Sequence, residues 1–288
     1  MPETAISLHW LVPTALLLLG LTVGSFLNVV IYRLPLMMET RWRRDCCELL
    51  EIDREKQVAP LNLATPNSHC PKCKAPIKPW HNIPVLGYLI LRGKCDTCTQ
   101  HIPARYPILE LVTGLLTLTL AWYFPLSIAL LGAVLFTWAL VALTMIDVDH
   151  QLLPDDITLP LLWLGLLFNL TGTYVGLGDA VIGAMAGYLT LWTVYQVFKL
   201  LTGKEGMGYG DFKLLAALGA WMGWQMLPII ILLSSAVGAI VGIAMMIIKR
   251  RGKDIPIPFG PYLAAAGWIA LLWGDTIMAR YMGATGLN

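Results

Sequence analysis

A chain of 288 residues that is 57% hydrophobic and 13% charged is not an ordinary soluble domain, in which about a quarter of residues carry charge. With 11 Trp and 12 Met as well, there are too few charged side chains to cover the apolar ones, and the bilayer is the expected solvent. The net charge of +2 identifies no partner and gives no reason to expect nucleic acid.

A membrane-crossing helix needs about 20 apolar residues at a rise of about 1.5 Å each. The first such run covers residues 10–31. It is longer than a signal-peptide core and lacks a preceding basic segment, so a retained first span is expected. A polar segment, residues 33–106, follows. Further spans are expected at 107–124 and 126–146, separated by Pro125, and at 157–174 and 179–200, separated by a Gly-rich turn. The apolar stretch 212–248 has 37 residues and would make a helix of roughly 55 Å. Pro228 is expected to divide it into 212–227 and 228–248. Residues 259–279 complete a count of eight.

Charge placement tests the count. Of 20 Lys and Arg, 12 lie between Arg33 and Arg105, three are Lys199, Lys204 and Lys213, and four are Lys249, Arg250, Arg251 and Lys253. Basic loops stay in the cytoplasm. Eight spans with the amino terminus outside put all three clusters inside and leave only Arg280 outside. Both termini are then periplasmic. The segments 147–156 and 202–211 then lie at the cytoplasmic face.

The polar segment holds Cys70-x-x-Cys73 and, after 21 intervening residues, Cys95-x-x-Cys98. Two such pairs suit a tetrahedral four-thiolate zinc site, each turn supplying two ligands. Two disulfides are the alternative, and a basic cytoplasmic loop sits in a reducing compartment. Four thiolates leave no coordination position for water, so the expected zinc is structural. His69 is a spare ligand, while Cys46 and Cys47 read as ordinary thiols.

Carboxylates at the ends of spans are costly and often functional. One group is Asp147, Asp149, Asp155 and Asp156, following directly on an apolar helix. The other is Asp211, behind Gly206, Gly208 and Gly210. Asp155, Asp156 and Asp211 also suit helix capping, and Asp149 and His150 suit a solvated loop. Glycines let two backbones approach closely. Two carboxylates brought together share a proton, so that one serves as base on a water and the other as acid on a carbonyl. Asp147 and Asp211 are the expected pair, with Asp149 as the rival to Asp147. The Gly-x-Gly-x-Gly run lacks the strand–turn–helix setting of a nucleotide loop.

Four stretches together resemble one family, the bacterial type IV prepilin peptidases. They are Gly24-Ser25-Phe26-Leu27-Asn28 through Arg33-Leu34-Pro35, the four-cysteine segment, Ile146-Asp147 through Leu153-Pro154-Asp155, and Gly208-Tyr209-Gly210-Asp211-Phe212-Lys213. The last resembles the GxGD motif of membrane aspartic proteases. The resemblance implies an all-α polytopic protein of the bacterial inner membrane. It divides the chain into a first transmembrane helix with the amino-terminal motif (residues 1–32), a cytoplasmic zinc domain (33–106) and a seven-helix peptidase domain (107–288).

The implied activity is cleavage, after glycine, of the basic leader of type IV prepilins and type II secretion pseudopilins. N-methylation of the new terminus by S-adenosylmethionine follows. By motif position the catalytic residues are Asp147 and Asp211, supported by Gly208, Gly210, Lys213 and Asp149. Gly24, Asn28, Arg33 and Glu110 are candidates for the methyl-transfer site. Gly24 also suits helix packing and Arg33 a positive-inside anchor, whereas Glu110, one turn into a span, needs a partner. A proton- or cation-coupled transporter, a non-catalytic assembly scaffold and a presenilin-like protease with other substrates are the competing readings.

Overall fold

The computed structural model describes residues 3–52, 61–249 and 258–285. Arg54 and Lys56 of the first basic cluster, and Arg250, Arg251 and Lys253 of the third, lie outside the described residues. Nine α-helices are described: α1 (Glu3–Leu49), α2 (Leu86–Ile90), α3 (Arg105–Tyr123), α4 (Ile128–His150), α5 (Asp155–Asn169), α6 (Leu177–Thr202), α7 (Tyr209–Met222), α8 (Leu227–Lys249) and α9 (Gly260–Thr285). Among the described residues there is no β-strand, only the isolated bridges His69–Pro76 and Lys94–His101.

All eight expected spans have a helix. Six of these, α1, α3, α4, α6, α8 and α9, are long and apolar enough to cross a membrane. The other two, α5 with 15 residues and α7 with 14, reach roughly 22 Å, short of a hydrocarbon core of about 30 Å. The chain divides into two compact units, Met1–Trp122 and Tyr123–Asn288.

In the first unit, α1 does not stop near residue 31. It runs on through the start of the polar segment to Leu49, with Pro13 and Pro35 inside it. Gly20 and Gly24, four apart, let α3 approach closely. A Cβ at Gly20 would stand 2.7 Å from the Thr117 side chain, and one at Gly24 would stand 2.8 Å from Glu110 Cα. This is the small-xxx-small contact of membrane helices. Thr113 and Thr117 are buried on α3 and turn their hydroxyls back to the carbonyls of Leu109 and Thr113.

In the second unit, α7 is buried on every side from Asp211 to Met222, Lys213 excepted. A helix that is apolar all round belongs in a core. Gly183 on α6 and Gly219 on α7 meet so closely that a Cβ on either would collide with the other's backbone. On the α5 side, Trp221 Nε1 donates to Leu161 O at 2.8 Å. Asn169 Nδ2 donates to the carbonyls of Ala220 and Trp221, two of the last-turn acceptors that α7 leaves open. The division within the long apolar stretch falls earlier than expected. Gly223, with φ of +77°, ends α7, and Pro228 sits in the first turn of α8, where a missing N–H costs nothing.

Candidate active site and metal centre

Two helix boundaries differ from expectation, and both bear on the aspartates. α4 carries on through His150 and closes on Gln151 in the left-handed conformation, whose N–H donates to Asp147 O at 2.9 Å. Asp147 therefore lies inside the last turn of α4 rather than after it. α7 starts at Tyr209 with Gly208 as its N-cap. Asp211 is thus in the first turn, three residues after the N-cap, where its carboxylate accepts from the Gly208 N–H. Asp155 and Asp156 likewise lie in the first turn of α5, where Pro154 is the N-cap. Acidic side chains there face the positive end of the helix dipole.

Asp147 is 5% exposed and Asp211 7%. They come within electrostatic reach of one another. Three further residues hold this arrangement. Gly260 opens α9 and donates its N–H to Asp147 Oδ2 at 3.0 Å, satisfying one of the orphan donors of a helix start. A Cβ at Gly260 would lie 2.6 Å from that same oxygen. Leu153, buried, fills the space between Gly210 and Gly260. A Cβ at Gly210 would stand 2.7 Å from Leu153 Cβ, and one at Gly260 would stand 3.1 Å from Leu153 Cδ2. Ends of α4, α7 and α9 and the 151–154 turn thereby meet at one place, with both carboxylates in it.

The other acidic-segment residues are placed differently. Asp149 is exposed, as are Asp156 and His150. On a continuous helix, residues two apart project about 200° from one another, so Asp147 and Asp149 face different ways. Lys213 Nζ reaches both carboxylate oxygens of Asp155 at 2.7 Å, joining α7 to α5. Gly208 is open, its nearest neighbour being Asp211 Oδ2 at 3.9 Å from an added Cβ. Lys199 holds the loop before Gly208 through Glu205 at 2.8 Å. The sequence marks Leu153 only as part of the Leu153-Pro154-Asp155 stretch and gives Gly260 no role. Only the Phe-Gly-Pro at 259–261 signalled a helix start there.

In the first unit, the two cysteine turns repeat one geometry. Cys70 N–H donates to Ala75 O and Cys95 N–H to Gln100 O, while Lys74 and Thr99 donate back to Cys70 O and Cys95 O. Lys74 and Thr99 both have positive φ. The four Sγ atoms lie within 4.8 Å of one another, with Cys70–Cys98 at 3.7 Å and Cys73–Cys95 at 4.0 Å. Sulfurs about 2.3 Å from a tetrahedral ion stand roughly 3.8 Å apart, whereas a disulfide needs about 2.05 Å. The donor set fits a metal ion. The N–H groups of Cys73 and Lys72 hold the Cys70 thiol down to about 6, and those of Cys98 and Thr97 lower Cys95. His69 turns to Asn67 O and is outside the cluster.

The methyl-transfer candidates have structural partners. Glu110 Oε2 accepts from Val85 N–H at 2.7 Å, at the start of α2. Arg33 is buried and donates to Asn62 O at 2.9 Å and Pro66 O at 2.6 Å. Asn28 Nδ2 donates to Tyr106 O at 3.3 Å. Gly24 and Glu110 are in contact, whereas Arg33 braces the loop at residues 62–66. A cavity of about 310 Å³ in this unit is lined by Thr22, Ser25, Phe26, Ser68, Asn82 and neighbouring residues, and includes none of the four.

Residues 18–124 match the bacterial peptidase A24 N-terminal domain, and residues 134–243 match the type IV leader peptidase family. The chain is 57% identical over 281 residues to the prepilin leader peptidase/N-methyltransferase of Aeromonas hydrophila, with 97% of each chain covered. The chain belongs to the type IV leader peptidase family. Its relatives of the same name in Pseudomonas aeruginosa and Neisseria gonorrhoeae are 56% and 49% identical, over 94% and 96% of both chains. No solved structure matches. The family's two-part match is consistent with an aspartate site in the second unit and a cysteine cluster in the first.

Proposed function

We propose that this protein is a membrane aspartic endopeptidase that removes the leader from prepilins and then N-methylates the new terminus. The observation that carries the peptidase reading is the pair Asp147 and Asp211, both buried, brought together by Gly260 and by Leu153 against Gly210. One carboxylate takes a proton from a water as that water attacks the scissile carbonyl. The other donates a proton to the carbonyl oxygen; the first then passes its proton to the nitrogen, the second takes back a hydroxyl proton, and the amine leaves as the C–N bond breaks. Asp147 is preferred to Asp149 because it is the buried one and α4 turns the two apart. Gly208 and Gly210 give the chain room beside Asp211, and Lys213 fixes α7 through Asp155.

The substrate follows from the relatives, whose printed name is prepilin leader peptidase/N-methyltransferase. Type II secretion pseudopilins, with the same basic leader, are proposed as a second group. Charge placement supports an inner-membrane protein with eight crossings, α5 and α7 shielded by their neighbours. It supports cytoplasmic loops at 33–106, 147–156 and 202–211, and periplasmic termini.

Zinc is the ion proposed for Cys70, Cys73, Cys95 and Cys98, as a closed structural site that stabilises residues 68–101. S-adenosylmethionine is the methyl donor proposed, supplying an electrophilic methyl to the new amine. The cavity of about 310 Å³ beside Ser25, Ser68 and Asn82 offers polar groups and the size of a small-ligand site. Gly24 and Asn28 directly precede the wall residues Ser25 and Val29, Glu110 holds Val85 next to the wall residue Pro84, and Arg33 holds Pro66, two residues before Ser68.

The acidic groups lie at helix ends, in the last turn of α4 and the first of α7, which favours surface chemistry over proton transport through the bilayer. The test uses purified protein, a prepilin and labelled S-adenosylmethionine. Asp147→Asn and Asp211→Asn should each lower cleavage by roughly 10²-fold or more while methylation of a pre-cleaved substrate persists. Cleavage near the parent rate by either variant removes that residue from the pair.

A further inference from the structure

We propose that the cavity between α6, α8 and the start of α9 seats the apolar side chains of the substrate next to the bond being cut. This rests on the peptidase reading of Asp147 and Asp211. The cavity has a volume of about 400 Å³, and its walls include Val194 of α6, Met207, Ser235 and Gly238 of α8, Phe259, and Tyr262 of α9. That size is within the range of about 300–1,000 Å³ over which proteins bind small apolar groups specifically.

Two of its lining residues, Met207 and Phe259, adjoin the supports of the two aspartates. Met207 directly precedes Gly208, the N-cap of α7, whose carbonyl accepts from Asp211 N–H at 3.2 Å. Phe259 directly precedes Gly260, whose N–H holds Asp147 Oδ2. A peptide bond between the two carboxylates therefore has this cavity beside it. The wall is apolar apart from the Ser235 hydroxyl and the Tyr262 phenol, so the side chains it accepts are apolar and large. Charged residues on the other side of the cut have no counter-charge among these wall residues and are directed elsewhere. Gly238 is one of the wall residues, and an added Cβ there would lie 3.2 Å from the Tyr262 ring. Any larger side chain at 238 has to enter the space proposed for the substrate.

The occupant is the membrane-embedded substrate itself. A lipid acyl chain is the competing occupant and is distinguished by the same experiment. Gly238→Leu should lower kcat/KM for the intact substrate by about tenfold or more, the range over which apolar pockets discriminate. A substrate whose large apolar side chain nearest the cut is replaced by Ala should lose a similar factor with the parent enzyme. The Gly238→Leu enzyme should then show little further loss on that substrate. A photoreactive phenylalanine at Ser235 in otherwise unaltered enzyme should cross-link to the substrate within the residues following the cut. That second measurement holds even if Gly238→Leu does not fold.

Additive losses in the paired experiment, or cross-links to lipid alone, overturn the proposal. Asp147→Asn and Asp211→Asn report separately on the peptidase reading. An enzyme that depends on both aspartates yet is unaffected by filling the cavity refutes the groove and leaves the catalytic pair standing.

Discussion

Four sulfurs converge in the first unit because two short turns, each with its own hydrogen-bond pattern, present two cysteines apiece. Each turn is closed by contacts within a few residues, from Cys70 to Ala75 and from Cys95 to Gln100. In the second unit, the two carboxylates converge through α4, the 151–154 turn, α7 and α9, contributed by residues as far apart as Asp147 and Gly260. A site made by local turns tolerates change elsewhere in the chain. A site made by helix packing depends on every close approach that lets the helices meet. The glycines show this directly: Gly183 against Gly219 and Gly210 against Leu153 are places where a single methyl group has no room.

The sharpest break comes from the carboxylates themselves. Asp147→Asn and Asp211→Asn keep size and shape but remove proton transfer, and cleavage should fall roughly 10²–10⁴-fold in each. Hydrogen exchange in α7 and zinc content should stay at parent values in both. A variant that loses zinc together with cleavage would contradict the independence of the two constructions.

The reciprocal experiment is Cys70→Ser, or removal of metal by a strong chelator. Zinc should fall from about one per chain to none, and exchange protection should vanish across residues 68–101 while the buried amides of α7 keep theirs. Metal binding requires thiolates, so protons compete with it. The Cys70 thiol is held down to about 6 and Cys95 is lowered, but burial and the neighbouring thiols push Cys73 up to about 11, so binding already displaces a proton at neutral pH, and zinc affinity should fall progressively from pH 8 downward and more steeply below about 6, where Cys70 is protonated as well. Competition with a chromophoric chelator across pH 5–8 measures this. A flat profile would exclude these thiolates as the ligands.

How far each site was legible follows from the same contrast. Cys-x-x-Cys spacing is a local signal, and the four cysteines were readable because the sequence records each turn whole. Helix existence was also readable, since apolar runs of the right length require it. Helix ends were not. The sequence pattern placed Asp147 after α4 and Asp211 ahead of α7, where it also suited a cap, because a polar residue beside an apolar run looks like a boundary. Packing extended both helices past these residues. Gly260 and Leu153 carry no chemistry in their side chains, and only the folded chain brings them against Asp147 and Gly210.

Gly260→Ala therefore tests the packing account where the sequence was silent. The new methyl would fall 2.6 Å from Asp147 Oδ2, inside contact distance, and must push the carboxylate or α9 away. A displacement of about 1 Å at reacting groups costs on the order of 10²-fold in rate, and kcat should fall by that order with zinc content unchanged. Gly210→Ala meets Leu153 Cβ instead, so Leu153→Ala in the same chain should restore part of the lost activity. No restoration would mean that Gly210 is needed for something other than room beside Leu153.

The smallest effect should come from the Lys213–Asp155 pair. It joins α7 to α5 through two oxygens at 2.7 Å, but Asp155 is about half exposed, and such pairs contribute about 0–1 kcal/mol. Stability should therefore change little on Lys213→Met. Position is the more sensitive readout, because Lys213 lies only two residues beyond Asp211 in the first turn of α7. Loss of the tether lets that turn shift, and kcat should fall by less than about tenfold with KM nearly unchanged. Asp155→Asn should reproduce the loss, and the double variant should be no worse than either single one, since both remove the same tether. A loss in Lys213→Met as large as in Asp211→Asn would place the lysine in the chemistry itself, and the second unit would then hold a three-residue site rather than a pair.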